Sequence, residues 1–434
     1  MTRDGAAPVP GGHLHANASQ PALPPRGVAG GRRLRVVPPS SMISRRDTWI
    51  AYLLMVCQGF LFYTVGYVTP YVESELGAPT WASALPSTAM AVGLLVAAAL
   101  VPRVVHALGR GGAVRLWAAL LAGAAIAIAA AASLPVLLAG SLVIGVAGAG
   151  SLTHSVTTFA GRQGGVLLMR ATLASVVGGV AGPLVLSAAA RSLGWNIGVL
   201  APVPLALALA VLARPRPDDV RPRPVGFTDG VARAGVPRGP ARPGRPAEPP
   251  LPRAYWLVWA FLALCVAAES SFVTWAAQVA VVRTGIELAD ATALGSLFVV
   301  GLVAGRVILG TGAGSRVAPA RLLAGMAAMA VAGGVLVWLG SWAVVTGLGL
   351  LGAGLGMAGV WATAAGVAVA AAPGSPVIAG ARLNLATGLP MLIAPLLLGV
   401  VASLAGVLFA WGAVIAFLLG ALAVLRLVPR SPTG

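Results

Sequence analysis

Long apolar stretches dominate the chain, and they are separated by short segments holding Arg, Pro, Ser or Gly. A helix that crosses a bilayer needs about 20 consecutive apolar residues. Twelve stretches meet that length: 48–72, 79–102, 113–132, 134–159, 165–190, 194–213, 254–282, 290–313, 319–340, 343–371, 378–404 and 406–427. The thinnest divisions fall at Ser133-Leu134-Pro135, Gly340-Ser341-Trp342 and Ala405-Gly406, where few polar residues divide neighbouring apolar runs. Three segments lack apolar periodicity: residues 1–46, an Arg/Pro-rich stretch at 214–253, and 428–434. The first two have the composition of disordered polar chain. The pattern predicts an all-α polytopic membrane protein with a polar tail at 1–46, six spans in 47–213, a linker at 214–253, six spans in 254–427 and a short tail at 428–434.

Composition sharpens this picture. Of 434 residues, 58% are hydrophobic and 9% charged, with a mean hydropathy of +0.91. Soluble domains carry about a quarter charged residues, so that class is excluded. All 29 basic residues are Arg. Without a lysine there is no P-loop phosphate cradle and no lysine Schiff base. The net charge of +18 is explained by side preference rather than by nucleic acid. With the N-terminus inside, 26 of the Arg residues fall on the cytoplasmic side, Arg191 and Arg283 lie outside, and Arg306 lies within a span. The positive-inside rule then puts both termini in the cytoplasm of a cell-membrane protein, with the lipid bilayer as its partner. The Arg-rich tail and linker would meet anionic headgroups there. Trp49, Trp81, Trp195, Trp256, Trp259, Trp338 and Trp342 sit near predicted span ends, as interfacial indoles do. Cys57 and Cys265 both fall inside spans, which argues against a disulfide framework.

The two sets of six spans match in order. Cys57/Cys265, Gly77/Gly285, Gly93/Gly301 and Pro102/Gly310 stand 208 residues apart. Arg170/Arg382, Pro183/Pro395 and Gly194/Gly406 stand 212 apart. An even number of spans per set gives both the same orientation. This is the parallel repeat of a transporter whose two bundles rock around a midplane site.

On these residues the chain resembles the major facilitator superfamily over essentially all of 48–427. The stretch Glu269 to Trp275, followed by Ser296, Phe298, Gly301, Gly305 and Arg306, is similar to the seventh and eighth spans of sugar-permease-like members. The family's signature between spans two and three is worn: His106 stands where an acid belongs, before Gly109 and Arg110. Its second copy, Gly310 to Arg316, also lacks the acid. Gly178, Gly182 and Pro183 partly match an antiporter motif of the fifth span. The resemblance implies two six-helix bundles, a monomer, a small organic substrate and a cavity lined by spans one, four, seven and ten.

Glu269 is the most informative residue. A carboxylate at the centre of a spanning helix costs about 2.5–3.5 kcal/mol on insertion scales, so it is functional or paired. It is the candidate for proton coupling. Arg306 is read as a gating or structural residue, as an anion ligand, or as bonded to helix-end carbonyls. Tyr63 and Tyr67, four apart, share a face of span one, and Trp275 and Gln278, three apart, share one of span seven. Gln58, Tyr63, Tyr67, His154, Trp275, Gln278, Trp361 and Asn384 are the candidate substrate-cavity residues. Gly109, Arg110, Gly182, Pro183 and Pro395 are candidates for gating or structure. Gly178/Gly182, Gly301/Gly305 and Gly352/Gly356 have small-x-x-x-small spacing and read as packing seams. Neither metal-ligand spacing nor a hydrolase or metalloprotease motif is present, so no metal, no cofactor beyond a proton gradient and no enzymatic activity is expected.

The expected function is a proton-coupled secondary active transporter of a small organic solute, neutral or weakly charged, with a lean to export of a drug or metabolite. The alternatives are an importer of the same superfamily and a non-transporting membrane sensor or scaffold.

Overall fold

The computed structural model describes residues 44–159, 164–213, 251–311, 317–373 and 375–429. The tail, most of the linker, and the Gly314-Ser315-Arg316 end of the second loop signature lie outside the described residues. Among those described, every regular element is a helix. A lipid environment offers the backbone no hydrogen-bond partners, so helices that satisfy themselves are the natural outcome of this sequence.

Among the described residues, eleven helices are long and apolar enough to cross a membrane. One of them, Thr80–Ala129, contains two spans, which gives twelve. Its bend is at Gly109, with φ 67° and ψ 177° inside the helix Leu85–Ala129. Only glycine adopts such a backbone without strain, so Gly109 turns the chain between spans two and three where a loop was expected.

Besides a one-residue interruption of span two at Ala84, between Thr80–Ser83 and Leu85–Ala129, three spans are broken. The first runs as Arg45–Tyr67 and resumes as Thr69–Leu76, with Pro70 in the first turn of the second piece. The sixth is Trp195–Val199 followed by Val203–Leu212, where Pro202 precedes the restart. The tenth is Ala343–Met357 followed by Val360–Ala370, interrupted at Ala358-Gly359. Proline lacks the amide proton that would continue the ladder, which accounts for the first two breaks. The remaining spans are Leu134–Thr158, Gly164–Ala190, Arg253–Thr284, Leu288–Gly310, Pro319–Leu339, Pro376–Ala405 and Val407–Arg426.

The repeat is visible in backbone angles and packing. Gly77 and Gly285 close the first and seventh spans with φ of 60° and 69°. Gly194 and Gly406 open the sixth and twelfth with φ of 94° and 91°. These are two of the pairs matched by sequence. A Cβ on Gly77 or Gly285 would meet nothing within 4 Å. Gly77→Ala and Gly285→Ala are therefore expected to cost only the backbone strain, about 1–2 kcal/mol each, in thermal unfolding of the purified protein.

Glycine also sets how closely the helices approach. In the first half, span two meets span four where a Cβ on Gly93 would strike the Leu142 carbonyl and lie 3.0 Å from Gly145 Cα. In the second half, span eight meets span ten where a Cβ on Gly301 would strike the Leu351 carbonyl and lie 3.0 Å from Gly354 Cα. The two seams are the same contact made twice. Span one packs on span five through Gly59, Gly178 and Gly182, whose added Cβ atoms would strike Ser175, Val56 and Thr64 respectively. Side chains then fill each bundle, for example Phe272 stacked on Phe298 at 4.9 Å and edge-on to Trp411 at 4.9 Å.

The first half meets the second chiefly through spans five and eight, spans two and eleven, and spans one and seven. Arg46 donates to the Leu212 carbonyl. That bond puts the start of span one and the end of span six on the same side, here called the linker side because residues 214–253 join the halves there.

Candidate functional site

Tyr63 and Glu269 stand near the middle of spans one and seven, and Arg306 stands in the linker-side part of span eight. Glu269 lies midway along Arg253–Thr284. Spans one and seven touch where a Cβ on Gly66 would come within 2.5 Å of Val273. One turn toward the linker side of that contact stand Tyr63 on span one and Glu269 on span seven. Sequence alone leaves open whether Glu269 and Arg306 meet, and no hydrogen bond or ion pair joins them among the described residues.

Two of the three are held from behind. The Tyr63 ring lies over Gly179 of span five, where a Cβ would approach Cε2 at 2.7 Å. Arg306 Nε donates to the Ala358 carbonyl at 3.3 Å. Ala358 is at the break in span ten, so its carbonyl is free of a regular helix. Gly305 makes that approach possible, since a Cβ there would lie 3.0 Å from the Leu355 carbonyl. Glu269 and Arg306 are both half-buried rather than sealed. Among the described residues, the Glu269 carboxylate and the two terminal nitrogens of Arg306 have no hydrogen-bond partner. The arrangement therefore offers one acceptor, one fork of donors and one phenol.

The other sequence candidates fall into separate places. Gln58 accepts from Ser175 Oγ at 2.9 Å, and its Cγ would lie 3.2 Å from a Cβ on Gly148. It ties spans one, four and five inside the first half. His154 is half-buried, with Thr158 Oγ1 at 3.4 Å from its Nε2. Trp361 is 47% exposed, and its indole donates to Thr387 Oγ1 of span eleven at 2.9 Å. Asn384 and Arg110 are exposed, while Gly182, Pro183 and Pro395 are buried. Pro183 and Pro395 both sit inside helices.

Tyr67, Trp275 and Gln278 do not face an open path. All three are buried; Tyr67 and Gln278 belong to a network that binds the halves on the side away from the linker, while the Trp275 indole N–H has no hydrogen-bond partner among the described residues. Tyr67 Oη donates to the Gly295 carbonyl at 2.6 Å. Tyr71 Oη lies 3.2 Å from Thr292 Oγ1. Gln278 Nε2 donates to Glu73 Oε2 at 2.6 Å, and Thr80 Oγ1 donates to Glu73 Oε1 at 2.8 Å. Thr274 Oγ1 donates to Ser87 Oγ at 3.3 Å, and Thr88 Oγ1 to the Leu392 carbonyl at 3.4 Å. Arg191 and Asp290 form an exposed ion pair at the rim. Within the first half, Trp195 Nε1 donates to Glu75 Oε2 at 2.6 Å and stacks on Tyr71 at 5.9 Å. The six spans that contribute are the ones closing the far side over the Tyr63–Glu269–Arg306 group.

Sequence reasoning did not single out Glu73, Thr292, Arg191 or Asp290. Each stands at a helix end, where a polar residue ordinarily means contact with water. Their partners are about 100 to 220 positions away, and a single sequence carries no signal for such pairs. No group of three or more His, Cys, Asp or Glu side chains able to hold a metal occurs among the described residues. Both cysteines are free and buried.

A family model described as the Major Facilitator Superfamily matches residues 49–377. The chain therefore belongs to the major facilitator superfamily of membrane transporters. No curated protein matches it. Solved structures share its fold at low identity. A point mutant of the nucleoside transporter NupG aligns with a TM-score of 0.71 at 10% identity, over 88% of this chain and all of that one. A bacterial homologue of the human lysosomal transporter Spinster, inward-facing and unoccupied, aligns with a TM-score of 0.67 at 14% identity, over 91% of this chain and 100% of that one. The human organic anion transporter MFSD10 aligns with a TM-score of 0.56 at 17% identity, over 88% of this chain and 99% of that one.

Proposed function

We propose that this protein is a secondary active transporter that exports a small organic solute, a drug or metabolite, in exchange for protons, by alternating access across the cytoplasmic membrane. The observation that carries this reading is Glu269. It is a carboxylate midway along span seven with no hydrogen-bond partner among the described residues, and the cross-half hydrogen bonds described above lie on the far side. An ionisable residue inside a spanning helix marks a functional site by default, and Glu269 is the group that would take a proton on one side and release it on the other. The Arg excess makes the linker side cytoplasmic. We take the conformation as inward-facing, because the described cross-half hydrogen bonds lie on the far side. Release of the far-side bonds and closure of the linker side would carry the site across. The protein works as a monomer, and no nucleic acid is involved.

The test is metabolite profiling of matched cells lacking the protein, expressing it, or expressing Glu269→Gln at equal membrane level. The expected result is a compound depleted inside and enriched outside with the unaltered protein alone. The Gln variant should lose at least tenfold in transport against a gradient while still equilibrating the compound down one. Accumulation inside would reverse the direction. No change in any strain would favour a sensor or scaffold on this fold.

A further inference from the structure

We infer that the linker-side ends of spans seven and eleven form a binding site for the anionic headgroup of a membrane phospholipid, with Arg382 as its ligand and Trp256 as its wall. This goes beyond the transporter reading and does not depend on it.

Span seven starts at Arg253 and span eleven at Pro376, both on the linker side. Two hydrogen bonds clamp these ends together. Tyr255 Oη donates to the Ala379 carbonyl at 2.8 Å, and Trp259 Nε1 donates to the Arg382 carbonyl at 2.9 Å. Trp256 lies edge-on to the rings on either side of it, 5.3 Å from Tyr255 and 6.0 Å from Trp259. The Arg382 guanidinium carbon stands over Trp256, 5.4 Å from the ring centre. The ring quadrupole attracts a guanidinium placed there. Arg382 is therefore positioned twice, through its backbone by Trp259 and through its head by Trp256.

These contacts leave a positive charge with no acid to answer it. Among the described residues, the Arg382 guanidinium has neither a hydrogen bond nor an ion pair. Arg382, Trp256 and the neighbouring Arg253 are all exposed. Stacking uses one face of the guanidinium and leaves its edge of N–H groups, a fork that matches two oxygens of a phosphodiester. Indoles at a span end sit at headgroup level, and arginines just there attract anionic lipid. Charge, position and donor geometry thus agree on one occupant.

The repeat supplies an internal control. Arg170 holds the matching place on span five and is exposed as well. On span one, the places of Trp256 and Trp259 are taken by Thr48 and Ala51, 208 residues earlier. The first half carries the charge without the indole wall.

The test uses the full-length protein purified in detergent, with thermal unfolding followed as phosphatidylglycerol, phosphatidylcholine or inorganic phosphate is added. Phosphatidylglycerol should stabilise the protein saturably. Phosphatidylcholine, whose choline cancels the headgroup charge, should bind more weakly, and inorganic phosphate should have no effect. Arg170→Gln sets the scale for a charge near an anionic surface, a loss of about fivefold at most. Arg382→Gln should weaken phosphatidylglycerol by more, about tenfold or above, because it also removes paired bonds. The Arg382 side chain is exposed and its bond to Trp259 uses the backbone, so the lipid-free unfolding temperature should not change. Trp256→Leu should weaken phosphatidylglycerol about two- to fivefold, the worth of an exposed cation–π contact, and Trp256→Phe should restore part of it. Equal losses in Arg382→Gln and Arg170→Gln would reduce the effect to diffuse attraction and overturn the site. Stabilisation by inorganic phosphate as strong as by phosphatidylglycerol would assign the site to a soluble anion instead. No stabilisation by phosphatidylglycerol would mean that the site does not exist.

Discussion

Gln278→Glu should spring the far side of the molecule open. Gln278 Nε2 now donates to Glu73 Oε2 at 2.6 Å, inside a buried network. The substitution replaces that donor with a second carboxylate at the same separation. Like charges forced together across an interface cost several kcal/mol, and the far-side closure rests on a handful of bonds worth about 0.5–1.5 kcal/mol each. The equilibrium between the two faces should move by at least a hundredfold. The chain suits a direct measurement, because Cys57 and Cys265 are both buried. A cysteine introduced at Ser87 should react slowly with a membrane-impermeant thiol reagent in the unaltered protein and at least tenfold faster in the Gln278→Glu background. Glu73→Gln in the same chain removes one of the two charges and should restore slow labelling. Unchanged labelling in Gln278→Glu would mean that the Glu73–Gln278 pair does not hold the closure.

Gly301→Leu and Gly93→Leu should each abolish the folded protein. At either site the first added carbon already collides with a backbone carbonyl of the neighbouring span, Leu351 or Leu142. A carbonyl in a helix cannot move aside as a side chain can. Overpacking usually costs about 1–3 kcal/mol where neighbours can yield, and here the helices themselves must separate. The expected readout is loss of the monodisperse peak in size-exclusion chromatography of detergent extracts. Gly352→Leu is the control. It shares the spacing, but a Cβ there meets nothing within 4 Å, and the protein should behave normally. A folded Gly301→Leu protein would show that the seam between spans eight and ten tolerates separation.

The glycine results show what a sequence can and cannot say. Small-x-x-x-small spacing marks Gly178/Gly182, Gly301/Gly305 and Gly352/Gly356 alike. The structure seats the first four against a neighbour and leaves Gly352 open, because spacing fixes a helix face but not what stands opposite it. Span boundaries were legible because long apolar runs must be helical in lipid. The repeat was legible because glycines such as Gly77/Gly285 and Gly194/Gly406 answer local backbone needs that recur in order. The bend at Gly109 was not, since the apolar pattern shows a gap there and not a left-handed residue inside a continuing helix. The break in span ten was missed for the opposite reason: Ala358-Gly359 carries neither charge nor proline. Glu269 stood out as a lone carboxylate in an apolar run. Tyr67, Trp275 and Gln278 were grouped with the cavity by helix face, yet they are buried toward the far-side ends of spans one and seven, and hydropathy carries no information on what stands opposite a face.

The paired glycine seams have a mechanical consequence. Inside each half, backbone presses directly on backbone, at Gly93 on Gly145 and again at Gly301 on Gly354. Between the halves, the described joints on the far side add side-chain hydrogen bonds and an exposed ion pair to the close approaches of Gly66 to Val273 and Gly399 to Trp81. Hydrogen bonds can be traded for water at little net loss, whereas a seam without side chains has nothing that can rearrange. The molecule is thus two stiff plates with a soft hinge line, and the softness is placed where thermal energy can use it. Heat or a ligand should swing one plate against the other well before either plate loses its own shape.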